Sequence, residues 1–269
     1  MKIILSHDVD HLRWSEHYLK DLFIPKLWIR TFLQRVKNQI DTKTAWNRCN
    51  IFMNKELHRL YDLVDYLKKE NIKSTFFLGF ANGLNLSYSN AQARIWGNWL
   101  IDKGFHVGVH GICFDSAEGI KKEFDKAQSL LEHSNFKGIR MHYLRHNENS
   151  AKYWKEAGYA FDSSEYKVEN PYLILPDFWS FPIGVMDTYA VSAIEQDLDK
   201  AKAYTFERLA LAKEKKLDYF VINFHDTYFD SDAYGLYKDW LVWIIDYLKG
   251  EGYLFTDFQS ALKELNSAH

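Results

Sequence analysis

At 269 residues, with 47% hydrophobic and 26% charged positions, the chain has enough apolar mass for one large core and no compositional sign of disorder. Lys and Arg (34) nearly balance Asp and Glu (36) without long like-charge blocks, so the net charge of −2 leaves no phosphate-neutralising stripe and no nucleic-acid partner is expected. Two cysteines, Cys49 and Cys113, exclude a disulfide framework, and no apolar run approaches the roughly 18 residues of a transmembrane segment.

In chain order, Lys2 to Ser6 reads as a strand that runs into His7-Asp8-Val9-Asp10-His11, two carboxylates and two imidazoles at its end. The segment from Glu16 to Asn54 is too long for a simple connection and contains LKDLFIPKLWIRTFLQRVKNQI, aromatic and basic together. It reads as an excursion that covers a barrel mouth or makes an oligomer contact. An interfacial membrane helix is the rival reading, and Pro25 stands against it as an interruption. From Glu56 to Lys69, Leu57, Leu60, Leu63, Val64 and Leu67 recur at helical spacing. IKSTFFLGF at 72–80 predicts a strand, Ala91 to Lys103 a helix stopped by Gly104, and FHVGVHG at 105–111 a third strand. A helix over about Ala117 to His133 precedes a fourth strand, FKGIRMHYLRH at 136–146, and Ser150 to Ala157 is a helix stopped by Gly158. Then come YLIL at 172–175, a long helix from about Glu195 to Lys216 and the strand DYFVINFHD at 218–226. A helix near Asp232 to Lys249 and a terminal YLFTDF with a last helix close the series.

Strand followed by helix, repeated, predicts a parallel sheet covered by helices, as a barrel or an open doubly wound sheet. No repeat, low-complexity tract or linker divides residues 1–269, which read as a single α/β domain. The start lacks a basic stretch followed by an apolar one, which together with the few cysteines makes a cytoplasmic location the expectation.

Parallel β/α architectures bind ligands at the C-terminal ends of their strands. Four polar clusters fall there: Ser6 to His11, His110-Gly111, Arg140 to His146, and Asn223 to Asp226. His106 and His110 have the i, i+4 spacing of zinc-binding helices, but their flanks read as strand. Four strand residues span about 13 Å, too far for both rings to meet one ion at about 2 Å. His106 is therefore expected to be structural and His110 to be the ligand candidate. Asp8 and Asp10 suit a division of labour in which one binds metal and the other takes a proton from water. Blander readings stand beside these. The aspartates, like His225-Asp226, also suit turn caps, His110 a satisfied core histidine, and Arg140 and Arg145 surface ion pairs. Trp179, in PDFWSFP, suits either stacking on a sugar ring or core packing.

The order of these motifs resembles the polysaccharide deacetylases of carbohydrate esterase family 4, the chitooligosaccharide deacetylase homology domain. That resemblance implies a distorted (β/α) barrel of about seven parallel strands. It also implies removal of N-acetyl groups from sugars with a divalent metal, usually zinc. The family's T-F-D-D is similar to Ser6-His7-Asp8 with Val9-Asp10 in place of the adjacent second aspartate, which implies Asp8 as catalytic base and Asp10 as metal ligand. H-E-I-G-N-H is similar to His106 through His110 and implies His110 as a second ligand. R-x-P-Y is similar to Arg140-Met141-His142-Tyr143, implying that Arg140 orients the base and the Tyr143 amide faces the oxyanion. The late L-x-H is similar to Ile222-Asn223-Phe224-His225 and implies His225 as general acid. Arg145 and Trp179 join Tyr143 as substrate-contact candidates. Phe114 stands where the family has its second metal histidine; His142, where the family has proline, is the replacement third ligand, with His7, His11 and His146 as alternatives. Relatives with a D-V-D opening hydrolyse other amides, including cyclic ureides, and some are metal-poor. Intracellular relatives with H-Y-L-R resemble proteins of O-antigen and surface-polysaccharide synthesis. The expected substrate is an N-acetylated sugar or polysaccharide intermediate. A metal-free hydrolase of another C–N bond, or a non-catalytic carbohydrate-binding homologue, is the alternative.

Overall fold

The computed structural model describes residues 1–17, 22–53, 56–132, 136–191 and 197–268. In chain order these form β1 (Lys2–Val9), α1 (Phe23–Val36), α2 (Thr42–Cys49), α3 (Leu60–Lys69), β2 (Thr75–Leu78), α4 (Asn90–Asp102), β3 (His106–Gly111) and α5 (Ala117–Leu130). There follow β4 (Gly138–Met141), α6 (Ser150–Ala157), β5 (Phe161–Asp162), β6 (Tyr172–Leu175), β7 (Phe178–Ser180), β8 (Ile183–Met186) and α7 (Asp187–Ala190). The chain finishes with α8 (Leu198–Glu214), β9 (Tyr219–His225), α9 (Gly235–Gly250), β10 (Leu254–Thr256) and α10 (Phe258–Ala268).

One sheet has the order β6-β7-β5-β4-β3-β2-β1-β9-β8, with β10 beside the first half of β1. From β5 round to β8, seven strands pair in parallel. A bridge between Tyr166, just after β5, and Ile183 in β8 brings the two ends of that path together, so the sheet is a curled, distorted (β/α) barrel. Among the strands of the described residues, only β6 runs antiparallel, as an edge partner of β7.

Side-chain alternation sorts the strands into two faces. Ile3 and Leu5 of β1, with Phe220, Ile222 and Phe224 of β9, face the helix layer and join the larger apolar cluster. Ile4, Tyr219 and Val221 face the barrel interior with Phe77, Phe161, Phe181 and Ile183. α10 stops the interior at the N-terminal ends of the strands. Its Phe258, Ala261 and Leu262 join the inner cluster, and its Glu264 reaches Lys2 and Tyr219 at the starts of β1 and β9. Each buried Phe in this inner cluster contributes about 1.5–3 kcal/mol. Gly138 is required here, because a Cβ at that position would lie 2.1 Å from the Phe161 ring.

Several boundaries differ from the sequence expectation. β1 continues through Val9 rather than stopping at Ser6, because it is paired on both edges there, with β2 and with β9 as far as Asp8. α3 begins at Leu60 rather than Glu56, since Leu57 N–H donates to the Leu12 carbonyl and Glu56 bridges Arg13, holding that stretch extended. The strand expected over 136–146 ends at Met141, where Tyr143 and Leu144 turn the chain with φ of 58° and 53°. β5, β7 and β8 are too short for an alternation signal. The excursion at 16–54 contains α1 and α2. The expected helix ends at His133 and Glu195, like Asn54, lie outside the described residues.

Candidate active site

Along β1 and β9 the inward positions change character from one end to the other: Ile4, Ser6, Asp8 and Tyr219, Val221, Asn223, His225. The polar half begins with Arg140, which is wholly buried. Its Nη1 donates to Ser6 Oγ at 2.9 Å and Asp8 Oδ1 at 3.0 Å, and also to Asn223 Oδ1. Nε and Nη2 donate to Ser163, at the carbonyl (2.9 Å) and the hydroxyl (2.7 Å). Asn223 Nδ2 closes the ring by donating to Asp8 Oδ2 at 2.8 Å. Burial pushes the Asp8 carboxyl up, but Arg140, with His110 and His225, more than offsets it and holds Asp8 below its ordinary value.

Above this ring three donor atoms converge. His110 Nδ1–H donates to the Arg140 carbonyl at 2.9 Å, and His142 Nε2–H to the Leu84 carbonyl at 2.9 Å. Those bonds fix the tautomers and turn the remaining lone pairs, His110 Nε2 and His142 Nδ1, toward each other at 3.0 Å. Asp10 Oδ1 lies 3.2 Å from the first and 3.4 Å from the second. Ligand atoms about 2.0–2.2 Å from a tetrahedral ion sit about 3.3–3.6 Å apart, so the triangle is a slightly tighter version of one face of such a site. Asp10 Oδ1 is buried with no hydrogen-bond partner, an acceptor whose desolvation a cation would offset. Asp10, His110 and His142 can thus coordinate a divalent metal.

His225 faces this group from β9. Asp187, at the end of β8, accepts from its backbone N–H at 2.7 Å and from Nδ1–H at 2.8 Å, leaving Nε2 directed inward. Nε2 is 3.9 Å from both Asp8 Oδ2 and Asp10 Oδ2, beyond direct hydrogen bonding. Burial pulls this imidazole down, but Asp187 above all, then Asp10 and Asp8, raise it to about 10. Asp8 and His225 are therefore pushed in opposite directions, toward a carboxylate and an imidazolium at neutral pH.

The structure gathers Asp8, Asp10, His110, Arg140, His142 and His225 at one end of the barrel, and all but Arg140 line a cavity of about 540 Å³. Tyr143 also lines it, with an exposed side chain whose hydroxyl accepts from Asn85 at 3.4 Å. The other two substrate-contact candidates lie away from the cavity. Trp179 is 3% exposed in the inner cluster, its Nε1 donating to Asn266 of α10, because β7 aims it at the plug; packing prevails over sugar stacking. Arg145 lies outside the cavity lining, donating to the Ile112 carbonyl at 2.7 Å with its guanidinium over the Phe114 ring. His106 sits at the opposite end of β3 from His110, 3.6 Å from Asp257. Neither His7, packed on Phe76 beneath the helices, nor exposed His146, nor His11, set against Phe23, joins the three-donor group. Sequence reasoning passed over Asp187, although the apolar run Ile183 to Met186 ending in an aspartate is the same strand-end signal that marked the other clusters. It also passed over Phe23, Lys26, Leu27 and Arg30, by which α1 walls the cavity.

No family model matches the chain, and no curated protein matches it in sequence. Its fold is similar to that of a candidate polysaccharide deacetylase from Mycobacterium smegmatis, with TM-score 0.66, 14% identity and coverage of 99% of this chain and 90% of that one. It is also similar to PuuE allantoinase (TM-score 0.61, 13% identity, 100% and 90% covered). A CE4 esterase from Streptococcus mutans superposes with TM-score 0.52 at 14% identity over 95% of this chain and 85% of that one. At such identities the likeness is one of fold, and chemistry has to be argued from the site.

Proposed function

We propose that the chain is a metal-assisted hydrolase that removes the N-acetyl group from a sugar or polysaccharide intermediate. The observation that carries this reading is the convergence of Asp10 Oδ1, His110 Nε2 and His142 Nδ1 opposite a carboxylate and an imidazole of opposed proton affinity. Asp10, His110 and His142 would hold the ion, which when bound supplies Lewis acidity toward a substrate carbonyl and lowers the pKa of water. Asp8 accepts the proton of the attacking water, and Arg140 and Asn223 fix which of its lone pairs is offered. The Tyr143 backbone amide donates to the developing oxyanion. His225, held by Asp187, gives its proton to the departing amine, so that water and amide become acetate and free amine. His142 supplies the third donor that Phe114 cannot, which removes the sequence-level reason for a metal-free reading. Zinc as the ion, a surface-polysaccharide (O-antigen) intermediate as substrate and a cytoplasmic location rest on the motif resemblance and the few cysteines, and are part of the proposal. No helix among the described residues is long and apolar enough to cross a membrane.

Calorimetry of the chelator-stripped protein with zinc, cobalt and nickel is the first test. One ion per chain is expected, with binding lost in Asp10→Ala and His110→Ala, followed by acetate release from one of a panel of N-acetylated sugars. Stoichiometric binding that survives both substitutions would overturn the site.

A further inference from the structure

The outer face of α1 carries Ile29 (62% exposed), Phe32 (67%), Leu33 (50%) and Val36 (62%), with exposed Leu22 (63%) at its N-cap. At 100° per residue the four helical positions fall within about 100° of arc, while buried Thr31 and Gln34 lie on the side turned to the protein. Isolated exposed apolar residues are ordinary; four sharing one stripe on a 14-residue helix, with a fifth at its N-cap, are not. Pro25 does not break the helix. It sits in the first turn, where its missing N–H has no intrahelical acceptor to lose.

Charge selects the occupant. From Leu22 to Ile40 there is no acidic residue, and four cations are present: Lys26, Arg30, Arg35 and Lys37. Lys26, Arg30 and Lys37 fall along one flank of the apolar stripe and share a shallow surface depression with Ile29 and Leu33. A second copy docking by this face would bring two sets of like charges together. An anionic lipid surface instead takes the cations at its phosphates and the stripe at the acyl boundary. We propose that α1 docks the protein on anionic bilayers, lying in the interface rather than crossing it. Because Lys26 and Arg30 also line the catalytic cavity, docking sets the mouth of that cavity at the lipid headgroups.

The test is co-sedimentation of the full chain with vesicles of phosphatidylcholine alone or doped with phosphatidylglycerol, alongside sedimentation equilibrium without lipid. Binding to the doped vesicles, weakened by salt, is expected, with little binding to phosphatidylcholine alone. Phe32→Asp should weaken it about tenfold or more, because it removes the ring from the interface and sets a carboxylate against anionic headgroups. K26Q, R30Q and K37Q should each weaken it about fivefold, the equivalent of ~1 kcal/mol per cation near an anionic surface. These variants alter exposed side chains, and an unchanged circular dichroism spectrum separates lost docking from lost folding. Equal binding to both vesicle types, no binding to either, or a dimer that Phe32→Asp dissociates would overturn the proposal.

Discussion

Ile4 and Asp8 lie on the same face of β1, one turn of the pleat apart from Ser6, and their surroundings are opposite. Around Ile4 the interior is filled by Phe77, Phe161, Phe181 and the plug residue Phe258. Around Asp8 it holds Arg140, Asn223, His110 and His225. The strands pass through both halves without changing their pairing, so the backbone places each side chain while the local filling decides what it becomes. The apolar end is filled by packed rings and contributes stability. In the polar end, the buried Asp10 oxygen has no partner and two imidazole lone pairs face each other, an arrangement that holds stability below what apolar residues would give.

The largest expected effect tests whether the polar end is chemical rather than structural. Asp8→Asn keeps the volume and the contact with Arg140 but cannot take a proton, so turnover should fall by about 10²–10⁴-fold while one metal ion still binds. Full turnover in that variant would remove Asp8 as the base. Phe258→Ala should do the reverse: about 3–5 kcal/mol lost in denaturant unfolding, with metal affinity of the folded protein unchanged. A change in metal affinity there would mean that the two ends are mechanically coupled.

These two variants also mark what the sequence could reveal. Strand-end clustering located Asp8, Asp10, His110, Arg140 and His225, because strand ends can be read from short apolar runs. The third donor, His142, was legible only as a substitution against a family motif. Its placement depends on the left-handed turn at Tyr143 and Leu144, conformations that neither residue type favours, and on the Leu84 carbonyl 58 residues earlier. Trp179 shows the converse ambiguity. An aromatic run next to a proline looks the same whether it faces a sugar or a core, and only the position of α10 decides. The cavity wall from α1 was expected in outline but not by residue, since amphipathicity identifies a buried face without naming what it buries against.

A smaller effect concerns the proton. Asp187 is the chief cause of the raised His225 value, so Asp187→Asn should lower it from about 10 by roughly one to three units. An acid must be protonated to act, so activity should fall as pH rises through this value, and the basic limb of the rate profile should move toward neutrality in the variant. An unmoved limb, with activity merely scaled down, would show that Asp187 only orients the ring. The Asp187→Glu variant should restore part of the limb's position.

The smallest effect belongs to the histidine that resembles a ligand most in sequence. His106 and His110 share the face of β3 and the spacing of a zinc helix, but the strand carries them to opposite ends of the barrel. His110 meets Asp10 at 3.2 Å, and His106 meets Asp257 at 3.6 Å beside the plug. Burial pulls His106 below its ordinary value, with Asp257 only partly opposing, so the native ring is neutral where the unfolded ring begins to charge. The sign follows: as pH falls below about 6.5 the unfolded chain binds the extra proton and the native state loses stability relative to it. With the ring 36% exposed, solvent screens most of this interaction. His106→Gln should therefore leave metal affinity within about twofold, change stability by less than about 1 kcal/mol at neutral pH, and slightly flatten the acid limb of the stability curve. Loss of the metal in this variant would mean that β3 does not hold its strand geometry in solution. The distance between the two ends of the barrel, on which the contrast between Ile4 and Asp8 depends, would then have to be redrawn.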